Sequence, residues 1–137
     1  MEGVDYDETF APRVCFESVR ALVALAASTG RELDQMGVAI AFLYAKLEEE
    51  TYVDIPEGVV PLGEGDRVRK LRKCLYDLKQ SPRMWNMTID RVLYDIGFER
   101  LVTEHGIYVV GEGGEKIFLA LYVDDVLLVW SSKESLT

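Results

Sequence analysis

The most apolar stretch of this 137-residue chain, Ile117–Trp130, is broken by one pair of carboxylates, Asp124-Asp125. It is too short to span a bilayer, which takes about 20 apolar residues, and two charges at its centre exclude that use. It has to fold as two buried strands, Phe118–Val123 and Val126–Trp130, with Asp124-Asp125 in a tight turn between them. Two adjacent carboxylates at the tip of an apolar hairpin repel each other unless solvent or a cation screens them. Hard divalent cations such as Mg2+ take oxygen ligands of this kind. An Asp-Asp turn is also a common solvated turn, so the pair alone leaves both readings open.

The rest of the chain reads as one domain with 49% hydrophobic residues, enough to bury a core, and with no repeat or low-complexity tract. Residues 1–15 read as irregular, with Pro12 as a breaker. Ser18–Thr29 has helical period, with Val19, Leu22, Val23 and Ala26 on one face and Gly30 as a stop. Leu33–Leu43 reads as a strand, with Met36, Val38 and Ile40 on one face and Gly37, Ala39 and Ala41 on the other. Thr51–Ile55 predicts a short strand, Pro56–Gly65 a loop, and Arg67–Cys74 a half-exposed strand. A second helix begins at Ser81-Pro82, serine as cap and proline in the first turn. Its expected buried stripe is Trp85, Ile89, Val92, Leu93 and Ile96, and Gly97 ends it. Ile107–Val110 and Lys116–Tyr122 flank a hairpin loop, Gly111–Gly114. The fold class is α+β, an antiparallel sheet with two helices packed on one face.

Net charge is −9, which argues against a nucleic-acid surface. The average hides an asymmetry: residues 1–66 hold 14 acids and 4 bases, while residues 67–83 hold seven bases and one acid. Those bases, Arg67, Arg69, Lys70, Arg72, Lys73, Lys79 and Arg83, fit a stripe tracking phosphates and equally a solvated strand face. Cys15 and Cys74 are too few for a disulfide framework and read as small buried thiols. The N-terminus is acidic and lacks a signal-peptide core, so an intracellular protein with no membrane partner is expected. His105 is the only histidine, and Gly111–Gly114 lacks the helix and lysine of a phosphate loop.

Tyr122-Val-Asp-Asp125 within this apolar hairpin resembles the catalytic hairpin of reverse transcriptases. Other segments match Ty1/copia-type retrotransposon polymerases in order: Glu8-Thr-Phe-Ala-Pro12, Phe16-Glu-Ser-Val-Arg20 and Leu22–Ala27, then Gln35-Met36 with Ala41-Phe42-Leu43. Leu47-Glu-Glu-Glu50, Tyr52, Pro56-Glu-Gly58, Cys74–Trp85, Gly97-Phe98 and Ile107-Tyr-Val109 continue the match. The resemblance covers nearly the whole chain. It implies a polymerase palm with partial fingers over residues 1–137, acting on an RNA template, a DNA primer and a nucleoside triphosphate. In the family two Mg2+ ions stabilise the attacking and leaving oxygens. The resemblance gives Asp124 and Asp125 the catalytic metal-ligand roles, with the Val38 carbonyl as a further ligand. It makes Phe42 the aromatic gate against a 2′-hydroxyl, although a core aromatic is the plain alternative. Gln80 is expected to contact nucleotide or template, and Arg83 to reach phosphates.

The sequence departs from that pattern at its most demanding position. The family places a third carboxylate immediately after Gln35-Met36, where this chain has Gly37. Asp34 lies three residues away, about 10 Å along an extended strand and on its other face. Ala39-Ile40 replaces a lysine–threonine pair, Tyr44-Ala45 replaces Asn-Gly, and Asp77 stands where the family has glycine. If that glycine has positive φ, aspartate there costs about 1 kcal/mol. By the resemblance, the chain begins inside the fingers and ends before the thumb, connection and RNase H portions. The expected outcome is a truncated, catalytically inactive reverse transcriptase with weak or no Mg2+ binding. The alternative is a non-catalytic nucleic-acid-binding or interaction remnant that uses the Arg67–Arg83 stripe.

Overall fold

A computed structural model describes residues 9–56, 58–59 and 67–131. Most of the expected irregular N-terminus and of the loop before Arg67, with Glu8 and Glu57 of the matching segments, lies outside the described residues. The elements are α1 (Phe16–Thr29), β1 (Glu32–Gly37), a 3-10 helix (Ala41–Tyr44), β2 (Tyr52–Asp54), β3 (Val68–Lys70), α2 (Ser81–Asp95), β4 (Glu99–Arg100), β5 (Ile107–Val110), a 3-10 turn (Gly113–Glu115), β6 (Ile117–Tyr122) and β7 (Asp125–Trp130). The main sheet is antiparallel in the order β1-β7-β6-β5-β4, and β2 and β3 form a separate two-stranded ribbon.

The two helices lie on opposite faces of the sheet, which corrects the expectation of one covered face. Leu119, Leu121, Val126, Leu128 and Trp130 pack with Tyr108 and with Leu93 of α2. The alternate residues Ala120 and Val129 pack with Ile107, Val14, and Leu22 and Ala26 of α1. The cause is in β6 and β7 themselves: both parities are apolar, so both faces have to be kept from water. Each large side chain so buried contributes about 1.5–3 kcal/mol.

α1 begins at Phe16, two residues before its hydrophobic period, and a distant carboxylate ties that end down. Glu104 accepts hydrogen bonds from the Ser18 hydroxyl (2.8 Å) and the Cys15 amide (3.4 Å). Hydrogen bonds from the Cys15 thiol and the Ser18 hydroxyl hold the Glu104 carboxyl below its usual range. Cys15 is exposed, against expectation, and Cys74 is buried. Val23, placed on the apolar face by period, is exposed as well.

In α2 the expected cap is displaced by one residue. Gln80 is the N-cap, and the buried Ser81 starts the helix, its hydroxyl donating to the Leu75 carbonyl (2.6 Å). Trp85, Ile89 and Leu93 face the core along one ridge of i, i+4 spacing. Val92 and Ile96 fall on the far flank of that ridge and are 49% and 63% exposed. The near flank is polar. Tyr108 donates to Asp90 (3.1 Å) and accepts from Arg100 (2.6 Å). Arg100 also donates to Asn86 (3.2 Å), which donates to the Pro12 carbonyl (3.1 Å). Burial pushes the Tyr108 phenol up to about 12, so it stays a donor through the physiological range. This network draws in β4, whose two residues leave no readable pattern.

The expected strand Leu33–Leu43 splits. β1 ends at Gly37, Ile40 turns the chain at φ +53°, and Ala41–Tyr44 winds into the 3-10 helix that buries Ala41 and Phe42. Arg67–Cys74 is likewise strand only over Val68–Lys70. None of the described helices is long and apolar enough to cross a membrane.

Candidate functional site

The site is built on the β6–β7 hairpin. Tyr122 pairs with Asp125, so the turn proper is Val123-Asp124 and Asp125 is the first residue of β7. A two-residue hairpin needs a left-handed residue, and here it is Val123 at φ +58°, a conformation a β-branched side chain rarely takes. The surroundings hold it there. The Trp85 indole donates to the Val123 carbonyl (2.6 Å), and the Val38 amide donates to the Asp124 carbonyl (2.8 Å). Trp85 is thus both core and clamp. One carbonyl of the tip is gripped from α2 and the next from the end of β1, which fixes where the two carboxylates emerge.

Asp124 is half-buried and Asp125 exposed. Directly opposite Asp125 across the strand pair is Gly37. A Cβ built on Gly37 would lie 3.6 Å from Asp125 Oδ1, an ordinary contact, and the φ of Gly37 is not positive. The backbone therefore has room for a side chain beside Asp125, and the chain supplies none. Asp34 pairs across from Leu128, and its carboxylate accepts the Gln35 amide (2.8 Å). Among the described residues, no three His, Cys, Asp or Glu side chains are grouped so as to hold a metal ion. The donor set does not fit a magnesium pair, because its carboxylates come from one end of one hairpin and none faces them from β1.

Phe42 sits in the cluster that backs the tip, with Ala41, Ala45, Cys74, Met84 and Trp85, and with Val38 and Val123 packed against it. Its ring lies 4.7 Å from that of Tyr76, centroid to centroid, tilted by 54°. Tyr76 is 48% exposed while Gln80 is 4% exposed, so of the two it is Tyr76 that presents surface beside Phe42. No periodicity singled Tyr76 out. Arg13 was missed too: its guanidinium lies 5.6 Å from the ring centroid of Tyr122, next to Asp125. On the α1 side of the tip a cavity of 440 Å³ opens between Gln35, Tyr122, Asp125 and Leu127. The basic residues do not form one strand face. Arg67, Arg69 and Lys70 lie on or next to β3 and Arg72 and Lys73 follow it, whereas Lys79 precedes α2 and Arg83 is within it. Lys70 is ion-paired with Glu50, and Arg67, Arg69, Lys79 and Arg83 all have partners.

A family profile described as reverse transcriptase (RNA-dependent DNA polymerase) matches residues 1–137. The chain belongs to that family. Among its relatives, the retrovirus-related Pol polyprotein from transposon TNT 1-94 of Nicotiana tabacum is 40% identical over 96% of this chain. The Pol polyprotein from transposon RE2 of Arabidopsis thaliana is 35% identical over 92% of it. The putative transposon Ty5-1 protein of Saccharomyces cerevisiae is 41% identical over 68%. The chain spans 10%, 9% and 30% of those three relatives respectively. No solved structure matches it.

The non-glycine residues with positive φ among those described are Ile40, Asp77 and Val123. Each borders a segment that packs in the cluster behind the tip. Asp77 has φ +73°, so the aspartate does stand in a left-handed slot. Asp77→Gly is expected to stabilise the chain by at most about 0.5 kcal/mol, the left-handed penalty of about 1 kcal/mol being partly offset by the extra freedom glycine brings to the unfolded state. The urea midpoint should rise with an unchanged slope, and a midpoint that falls would show that Asp77 is not strained.

Proposed function

We propose that this chain is the palm, with part of the fingers, of a retrotransposon reverse transcriptase that no longer performs nucleotidyl transfer. The sheet and its helices are read as palm, and the β2–β3 ribbon as the root of the fingers. In an active member of the family this hairpin would serve an RNA template, a DNA primer and a nucleoside triphosphate, with Phe42 and the exposed Tyr76 beside it toward the nucleotide, whereas the buried Gln80 would back that surface rather than touch the nucleotide.

One observation carries the loss: Gly37 pairs with Asp125. A pair of metal ions that clamps both the attacking and the leaving oxygen needs anionic ligands converging from more than one element. Mg2+ holds its waters tightly and needs near-octahedral oxygen donors. Asp124 and Asp125 supply carboxylates from one side only. The aromatic gate, the clamped turn and the fold behind them are consistent with a scaffold kept after that ligand was lost. The binding-remnant reading gains less support, because Lys70 is committed to Glu50 and the remaining bases are divided between β3 and α2.

The test is primer extension on an RNA template with Mg2+ or Mn2+. No templated product is expected from this chain. Products formed as fast as by a Gly37→Asp chain would overturn the proposal.

A further inference from the structure

Below the tip, the α1 face of the sheet is hollow. Strand register sets two rows of residues across it. Gln35, Leu127 and Ala120 stand side by side on β1, β7 and β6, and Gly37, Asp125 and Tyr122 form the next row toward the tip. Each row contains one residue with little or no side chain, Ala120 in the first and Gly37 in the second. The body of α1 packs through Leu22 and Ala26 in one cluster with Ile107 and Val129. What is left open is the cavity of 440 Å³, bounded above by Val14, Phe16 and Val19, at and just before the start of α1. Cavities that take small ligands commonly span about 300–1,000 Å³.

Its walls are apolar except at one end. Val14 and Ala120 are buried, and the rings of Phe16 and Tyr122 are 65% and 48% exposed at the rim. Asp125 is the one charged residue in the lining, and Gln35 is the other polar side chain beside it. Neither side chain is hydrogen-bonded or ion-paired with another described residue. Arg13 and Arg20 lie 5.6 and 4.6 Å from the ring centroids of Tyr122 and Phe16, and neither belongs to the lining. A carboxylate at the end of an apolar cleft favours a cation there, and the net charge of −9 strengthens that preference and turns anions away. Aromatic walls favour a ring in the cleft beyond the area it covers.

We infer that this hollow is a binding site for a small aromatic molecule carrying one protonated amine. Its ring lies against Phe16 and Tyr122, and its ammonium donates to the Asp125 carboxylate and the Gln35 carboxamide oxygen. Other occupants leave part of the lining unmet. A purely apolar molecule would cover the walls and leave Asp125 facing it without a partner, at the cost of that group's desolvation. A simple cation would meet Asp125 and leave the rings and Val14 uncovered. A phosphate-bearing molecule would have to approach Asp124-Asp125 against their charge. The site needs no metal, and it gains from Gly37, where a Cβ would meet only Asp125 Oδ1 and where no side chain competes for that oxygen. It stands whether or not the chain transfers nucleotides.

Tryptamine is the probe, compared with tryptophol (the same ring bearing a hydroxyl) and propylamine (the charge without the ring). Amide chemical shifts of the full chain, followed through a titration, read place and affinity together. Tryptamine should shift Gln35, Ala120 and Leu127 saturably, with a Kd of about 1 mM for a ligand of about a dozen heavy atoms. Tryptophol should bind about fivefold more weakly, and propylamine should leave Ala120 unmoved. Asp125→Asn should weaken tryptamine about fivefold, the worth of a charge-assisted hydrogen bond at a half-open site, and leave tryptophol unchanged. Phe16→Ala, at an exposed position, should weaken both ring-bearing probes about threefold. No saturable shift at those three amides up to about 10 mM tryptamine overturns the inference. So does tryptophol binding as tightly as tryptamine, or either variant binding tryptamine as its parent does. Propylamine shifting the same amides as strongly also overturns it, by reducing the site to a general attraction of cations.

Discussion

Gly106→Ala is expected to destabilise the chain by about 3–5 kcal/mol, at the upper end of single-substitution effects. Gly106 does not have positive φ, so backbone conformation is not the reason. The reason is space. A Cβ there would lie 2.0 Å from the Val14 nitrogen, 2.3 Å from the Val14 Cα and 2.6 Å from the Arg13 carbonyl carbon, all backbone atoms. The N-terminal segment crosses the start of β5 at this point and is tied down: Val14 N–H donates to the Leu121 carbonyl (3.0 Å), and Leu121 N–H donates to Gly106 (2.8 Å). Val14 is also buried in the α1-side core. Moving the segment aside would break the first of those bonds and draw Val14 out of the core. Gly114→Ala serves as the control, since its Cβ would meet nothing within 4 Å and its φ is ordinary. Denaturant unfolding followed by circular dichroism should separate the two variants widely. A Gly106→Ala chain within about 1 kcal/mol of its parent would mean that the crossing is looser than described.

That crossing shows where sequence reading stops. The β6–β7 hairpin was legible because an apolar run with one polar interruption admits few folds, and α2 because Pro82 and Gly97 mark its ends. The second face of the sheet was not legible. Apolar residues at both parities of β6 and β7 say that both faces are covered, but not by which helix, and a one-face reading assigned α1 and α2 together. β1 was overextended because Val38–Leu43 continues the apolar run, and nothing in a run of small and branched residues announces that Ile40 takes a left-handed turn. Long-range ties are invisible in the same way: Glu104 reaches the start of α1 from 86 residues beyond Ser18. At the site, the carboxylate tip and the bare position at Gly37 were legible from the sequence. The Trp85 clamp and the Phe42–Tyr76 contact were not, because each joins residues far apart in sequence whose types are equally at home in any core.

The other large effect concerns Gly37, opposite Asp125. Gly37→Asp is expected to reverse its sign with metal. Without a divalent cation the substitution should destabilise by about 1 kcal/mol, because like charges about 4 Å apart repel by about 1 kcal/mol in water and more where water is partly excluded. The new Cβ would start 3.6 Å from Asp125 Oδ1, close enough for that repulsion. The deficit should shrink on acidification: crowding raises the carboxyl pKa values, and protonation removes one of the like charges. With Mn2+ the same crowding becomes the binding site. At a free concentration about a hundredfold above the dissociation constant, the folded state should gain about 2.7 kcal/mol. The parent chain should show no comparable gain, since its carboxylates come from one strand end. Thermal unfolding across a Mn2+ titration, with bound Mn2+ counted by its electron paramagnetic resonance signal, reads both arms without any enzyme assay. A parent chain that gains as much from Mn2+ as the variant would mean that Asp124 and Asp125 suffice to hold the ion, and the loss of catalysis proposed for this chain would have to rest on something else, such as the strained turns at Ile40 and Asp77.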